Sequence, residues 1–231
     1  MEMEWSSQDA MKAFLQTLHL CKVNNMHDEE QKYGINGSKV IEPQGTELLS
    51  ALAAGNKAKT IIDITTSKKQ GITPLTLALS VAAKQTGGKL ICIRPSLNGV
   101  INNGVNYEVA NDVTELRVGD PCEQLMNDIR NVDFAVIDCR DFDTCRLRVL
   151  SEKLHLNPKG AIIVANNVLH REQGVALVDQ ILKGKKGGIE SSVRTLPLGG
   201  SSAGFQLIIK IKSKCQKIKR KHRRFFVTFD D

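Results

Sequence analysis

Apolar positions along the chain fall into two alternating periods. Short, nearly continuous apolar runs occur at Thr60–Ile64 (TIIDI), Lys89–Ile93 (KLICI), Asp133–Ile137 (DFAVI) and Gly160–Ala165 (GAIIVA). Runs of this length and density suit strands covered on both faces. Between them the pattern changes to a helical one. Residues 44–55 place Leu48, Leu49, Leu52 and Ala53 inward, with Gly55 as a stop. Thr73-Pro74 opens a helix to about Lys84 with a cap-then-proline signature, and Gly87-Gly88 ends it. Further helices are predicted over 121–129, over 143–155 with Leu147, Leu150 and Leu154 inward, and over 171–183. Ahead of all these, residues 6–21 read as a helix capped by Ser6 or Ser7, with Met11, Phe14, Leu15 and Leu18 on one face. Residues 22–42 are polar and without period, which predicts a mobile surface loop. Residues 95–104 also read as a loop, and 105–109 and 114–118 are weaker strand candidates.

Repeated strand–helix alternation predicts an α/β fold of the doubly wound kind, a mostly parallel sheet with helices on both faces and right-handed crossovers. Two further strands are expected at 190–197 and 204–211. Only Leu198–Ala203 separates them, too short a link for a parallel crossover, so the sheet should end in an antiparallel hairpin. The chain divides into an N-terminal helix and loop (1–42), a main domain (43–211) and a C-terminal tail (212–231).

A length of 231 residues suffices for a core that needs no disulfide or metal staple. Aromatic residues make up 4%, so that core must rest on Ile, Val, Leu and Ala. The six cysteines form no C-x-x-C pair and have no histidine partners at zinc spacing, which predicts free thiols in a reducing compartment. The acidic start Met1-Glu2-Met3-Glu4-Trp5 has no apolar stretch of the signal-peptide kind, and no segment is apolar enough to span a membrane. A cytoplasmic protein is expected. The net charge of +7 is local: residues 210–224 hold nine Lys or Arg and no acid, and without them 23 basic residues face 25 acidic ones. That tail reads either as a nuclear-targeting or phosphate-binding patch for nucleic acid or an acidic partner, or as a solvated charge run. No zinc finger or RNP-type aromatic sequence accompanies it.

The ordered segments ELLSALA, IIDI, LICI, LRVGDP, VDFAVIDCRD, GAIIVANNVLH and LPLGGSSAGFQLIIK resemble, over residues 43–211, the plant caffeoyl-CoA and catechol-type O-methyltransferases. The whole chain resembles a plant-specific family of uncharacterised proteins on that scaffold, whose members also begin with a Trp-Ser helix and carry a basic segment after the last strand. The resemblance implies a seven-stranded sheet of the class I S-adenosylmethionine (SAM) methyltransferase type, with a crevice at the carboxyl ends of the strands. It places the SAM pocket at Asp63 to Gly71, with Thr65 among them, and at Arg94, Asp120 and Asp138. A small-molecule ligand would sit there. It also implies a divalent metal held by Asp138, Asn166 and Asn167.

Several residues depart from that pattern. Thr65 stands where a glycine lets the backbone approach the cofactor, and Gly71 is the nearest glycine in the loop. Arg94 stands where a carboxylate usually accepts from the ribose; arginine has five donors and no acceptor, and would favour an anionic ligand. Asn166-Asn167 replaces an Asp-Asn pair, which removes one anionic ligand from a hard-cation site. Asp141 and His170 are the nearby groups that could compensate. No general base stands out: Arg140, two residues after Asp138, is always protonated. Lys68 and Lys69 suit a phosphate better than a sulfonium. Two functions are compatible with these residues. One is a SAM-dependent methyltransferase with a degenerate cofactor loop and metal site and weak or no catalysis. The other is a non-catalytic binding or regulatory module that uses the crevice or the tail.

Overall fold

The computed structural model describes residues 5–23, 43–66, 71–96, 112–125, 128–140, 142–168, 171–183, 189–197 and 205–213. Six helices and seven strands are found among them. The helices are α1 (Ser7–Val23), α2 (Pro43–Gly55), α3 (Pro74–Thr86), α4 (Pro121–Gln124), α5 (Thr144–Lys153) and α6 (Arg171–Lys183). The strands are β1 (Thr60–Ile64), β2 (Lys89–Arg94), β3 (Thr114–Val118), β4 (Phe134–Asp138), β5 (Gly160–Val168), β6 (Ile189–Pro197) and β7 (Phe205–Ser213). They form one seven-stranded sheet in the order β3-β2-β1-β4-β5-β7-β6. β1 to β5 run parallel. β7 is antiparallel to both β5 and β6, so the expected hairpin closes the sheet.

Alternate residues of the central strands feed two separate cores. Ile62, Ile64, Ile91, Ile93, Ala135 and Ile137 face one side, where Leu147, Leu150 and Leu154 of the α5 region and Leu177 and Ile181 of α6 cover them. Ile61, Leu90, Cys92, Phe134 and Val136 face the other, against Leu49, Ala53 and Ala54 of α2 and Leu79, Ala82 and Ala83 of α3. This two-sided burial is why the strands read as apolar runs and not as alternating ones. Cys92, Cys122, Cys139 and Cys145 are free thiols. No described helix is long and apolar enough to cross a membrane.

The structure corrects three local expectations. The apolar face of α1 is not its packed face: Met11 and Leu15 are 59% and 54% exposed, whereas Ala10, Ala13 and Thr17 are buried. The small residues let α1 lie close on α2, where Thr17 Oγ1 donates to Ser50 Oγ (3.0 Å) and Ser50 Oγ donates to the Ala78 carbonyl (2.8 Å). Leu48 of α2, expected inward, is 41% exposed. The helix predicted over 121–129 stops at Gln124. Just past that end, Arg117 Nη1 donates to the Gln124 carbonyl (3.1 Å), and the same guanidinium pairs with Asp128 (2.5 Å). The strand candidate 105–109 and the loops 22–42 and 95–104 lie wholly or largely outside the described residues.

At the N-terminus the Trp5 indole lies over Gly55, where an added methyl would stand 2.4 Å from the ring. The Gly87-Gly88 stop is equally specific. Gly87 takes the left-handed conformation at φ 61°, and Gly88 passes against the chain at residues 58 and 59. A Cβ on Gly88 would meet the Lys59 carbonyl oxygen at 2.5 Å and its Cα at 2.7 Å. Backbone cannot swing away as a side chain can. Gly88→Ala should therefore destabilise the protein by about 2 kcal/mol or more, against about 1 kcal/mol or less at an unobstructed position; urea unfolding measures this directly.

Candidate functional site

The sheet reverses its order between β1 and β4, and the carboxyl ends of those strands open the crevice that such a switch point creates. Its walls carry Asp63, Thr65, Thr73, Arg94, Asp138, Arg140, Asn166 and Asn167.

Arg94 ends β2 and is 1% exposed. All five of its N–H donors are used within the chain. Nε donates to the Gly71 carbonyl (3.0 Å), and Nη1 to the carbonyls of Asp63 (3.0 Å) and Ile93 (3.1 Å). Nη2 donates to Asp63 Oδ2 (2.5 Å) and Thr76 Oγ1 (2.8 Å). Thr76 Oγ1 in turn donates to Asp63 Oδ2 (2.8 Å), and the Thr73 amide donates to Thr76 Oγ1 (3.2 Å) in the capping box of α3. Burial, the largest single influence, opposes the guanidinium charge, but Asp63 together with Cys92 and Asp138 holds Arg94 above its ordinary pKa. Arg94 was expected to favour an anionic ligand. With every donor already engaged, it is instead a strut that binds the loop at Gly71 to the ends of β1 and β2.

Asp138, at the end of β4, is largely enclosed and equally engaged. Arg140 Nε lies 3.1 Å from both carboxylate oxygens, Arg140 Nη2 lies 2.5 Å from Oδ2, and the Arg140 amide donates to Oδ1 (3.2 Å). Asn167 Nδ2 donates to Oδ1 as well (3.1 Å). Asn167 occupies a register shift of β5 between Ala165 and Val168 and has a left-handed φ of 54°, which asparagine tolerates better than most residues. Asn166 pairs in register with Asp138 across the β4–β5 ladder, and its buried Oδ1 has no hydrogen-bond partner among the described residues. The neighbouring Cys139 thiol is pushed well up by burial and then by Asp138, so it stays a neutral thiol.

The third carboxylate stands apart. Asp120 caps α4, accepting from the Cys122 amide (2.8 Å) and from Arg146 Nη2 of α5. It is not among the residues that wall the crevice. The structure thus brings together Asp63, Thr65, Arg94, Asp138, Asn166 and Asn167, links Gly71 to them through Arg94, and leaves Asp120 outside. Lys68, Lys69, Asp141 and His170 lie outside the described residues. Sequence reasoning missed Thr76 and Arg146. Thr76 had a visible signal, since it is the third residue of a helix that Thr73-Pro74 announces; Arg146 had none.

Comparison with known proteins supplies the family. A family model described as "Protein of unknown function (DUF1442)" matches residues 1–231. The chain belongs to the DUF1442 family. Among curated proteins, none matches this DUF1442 chain. Solved structures do resemble it. An O-methyltransferase from Bacillus cereus in complex with S-adenosylhomocysteine (SAH) is 20% identical with a TM-score of 0.54, over 87% of this chain and 90% of that one. A SAM-dependent O-methyltransferase from Thermotoga maritima is 14% identical with a TM-score of 0.55, over 86% and 72%. A candidate caffeoyl-CoA O-methyltransferase from Staphylococcus aureus is 16% identical with a TM-score of 0.51, over 85% and 100%. These likenesses establish that the DUF1442 chain has the class I SAM methyltransferase fold.

A divalent metal does not fit the residues that the scaffold offers for one. Arg140 already supplies a cation to Asp138, and no group of three His, Cys, Asp or Glu able to hold a metal occurs among the described residues.

The Arg94 network yields a stability prediction. Arg94→Met should cost about 3–5 kcal/mol, because it leaves the buried Asp63 carboxylate without its ion-pair partner, with the Thr76 hydroxyl still donating to it. The double variant Arg94→Met/Asp63→Asn should be less unstable than the sum of its parts by 1 kcal/mol or more, roughly. A double-mutant cycle in urea reads this coupling, and simple additivity would count against the strut.

Proposed function

We propose that this protein is a SAM-methyltransferase superfamily member in which metal-assisted methyl transfer has been given up, leaving a crevice with weak affinity for SAM and weak or no catalysis. One observation carries the reading: each of the three carboxylates suggested for the site is held by an arginine of the same chain, Asp63 by Arg94, Asp138 by Arg140 and Asp120 by Arg146. A nucleoside ligand needs acceptors for its hydroxyl and amino groups. Here each of those carboxylates already carries an arginine as its ion-pair partner. SAM remains the small molecule to test first, because the solved structures that share the fold include proteins with SAH bound.

Calorimetric titration with SAM and with SAH is the direct test. We expect a Kd of about 1 mM or weaker for both, and no methylation of phenolic or catechol acceptors with Mg²⁺ present. Low-micromolar binding that is lost in Asp63→Ala, together with methyl transfer, would refute the reading.

The basic tail supports a second, compatible role in binding nucleic acid or another acidic partner. Nine Lys or Arg and no acid lie in 210–224; Lys210 and Lys212 belong to β7 and the rest follow it. Binding of this kind is dominated by phosphates, so affinity should fall steeply with salt. We expect fluorescence anisotropy with a labelled duplex to show binding at low salt that weakens at least tenfold on removal of 214–231. Unchanged binding by the truncated chain would remove the tail from consideration.

A further inference from the structure

Asp138 and Asn166 stand side by side at the ends of two parallel strands, β4 and β5, in register. The bulge that follows turns Asn167 back toward Asp138, with its backbone in the left-handed region. Three oxygen-bearing side chains are thereby gathered at one corner of the crevice. Backbone departures of this sort persist where surrounding structure holds them, and they re-aim side chains. Yet one oxygen of this set is left over. Asn166 is 4% exposed, its Oδ1 is buried, and it has no partner among the described residues. A buried acceptor without a donor is uncommon in a folded protein.

The cation paired with Asp138 among the described residues is Arg140, while the second arginine of the crevice, Arg94, is paired with Asp63. Arg140 lies two residues after Asp138 and spends Nε and Nη2 on the carboxylate. Both partners are largely enclosed, with side chains 14% and 13% exposed, so the attraction is screened less than at a surface. We propose that the Arg140 guanidinium is a built-in replacement for a divalent cation, and that Asp138, Asn166 and Asn167 form a latent cation site which that guanidinium locks. The guanidinium meets Asp138 in a forked, planar contact and cannot reach every ligand a spherical ion would, which accounts for the oxygen left over on Asn166. It also excludes the ion, because a divalent cation at Asp138 would stand beside a fixed positive charge. Removing the guanidinium charge should leave Asp138 without its ion-pair partner and open the site, with Arg94 still paired to Asp63. Asn167 can join as a ligand by turning its amide, which exchanges Nδ2 for Oδ1. This inference does not depend on whether SAM enters the crevice.

The experiment uses Mn²⁺ alone as the probe, on the full chain, by calorimetry and by thermal unfolding. The wild type should neither bind Mn²⁺ nor melt differently in millimolar Mn²⁺. Arg140→Gln should melt lower by something on the order of 5 °C, and Mn²⁺ should restore a large part of that loss. Arg140→Gln/Asn166→Asp should bind Mn²⁺ at least about tenfold more tightly than Arg140→Gln, since hard cations prefer carboxylate to amide oxygen. Adding Asp138→Asn to the double variant should abolish binding. Arg140→Lys keeps the charge and should stay unresponsive to Mn²⁺. The proposal is overturned if the wild type binds Mn²⁺ as tightly as the variants, or if Arg140→Lys gains binding equal to Arg140→Gln. It is also overturned if both Gln variants fold, as judged by circular dichroism, yet neither responds to Mn²⁺.

Discussion

A buried guanidinium is costly to place, and the ends of β1 and β2 are built around one. Desolvating Arg94 and Asp63 removes several kcal/mol per ion of hydration, which their attraction recovers when the remaining donors and acceptors are also satisfied. Here that condition is met: Gly71, Asp63, Ile93 and Thr76 take every donor that Arg94 has. The same five bonds fix the path of the chain. They set where the loop after β1 returns at Gly71, where α3 begins at its Thr73–Thr76 cap, and how far β2 extends beyond Ile93. A lysine has three donors and no planar fork, so it could not serve the same four residues.

The other two arginines repeat the theme with decreasing burial. The side chain of Arg94 is 1% exposed, that of Arg140 14% and that of Arg146 45%. Solvent screening grows in that order, so the first contact governs folding, the second shapes one corner of the crevice, and the third contributes little beyond anchoring a cap. In this chain the two carboxylates that wall the crevice, Asp63 and Asp138, are each paired with an arginine.

The layer order and the closing hairpin were legible in the chain because they depend on period and link length. Strands covered on both faces have no polar side to interrupt their apolar runs, and the short link from Leu198 allows one geometry. The candidate site was legible as a set of positions. Asp63, Arg94, Asp138, Asn166 and Asn167 do converge, because strand ends at a switch point must. What the sequence hid was who binds whom. An arginine in place of a carboxylate reads as a free cation until the fold shows Asp63 at 2.5 Å. The seam between α1 and α2 was misread for a related reason. Hydrophobicity ranks Met11 and Leu15 above Ala10 and Ala13, but close helix contact selects for small size. The end of α4 at Gln124, whose carbonyl accepts from Arg117 of another strand, is announced by nothing within 121–129.

Trp5 is the single tryptophan of the chain, and its ring rests on Gly55 at the end of α2. Gly55 precedes β1, so the indole sits at the amino ends of the strands, and the crevice opens at the carboxyl ends. Its emission is therefore an optical reporter of whether the N-terminal helix is seated. A change in tryptophan fluorescence signals undocking of α1, and a ligand that settles among Asp63, Arg94 and Asp138 would pass without a signal in that channel.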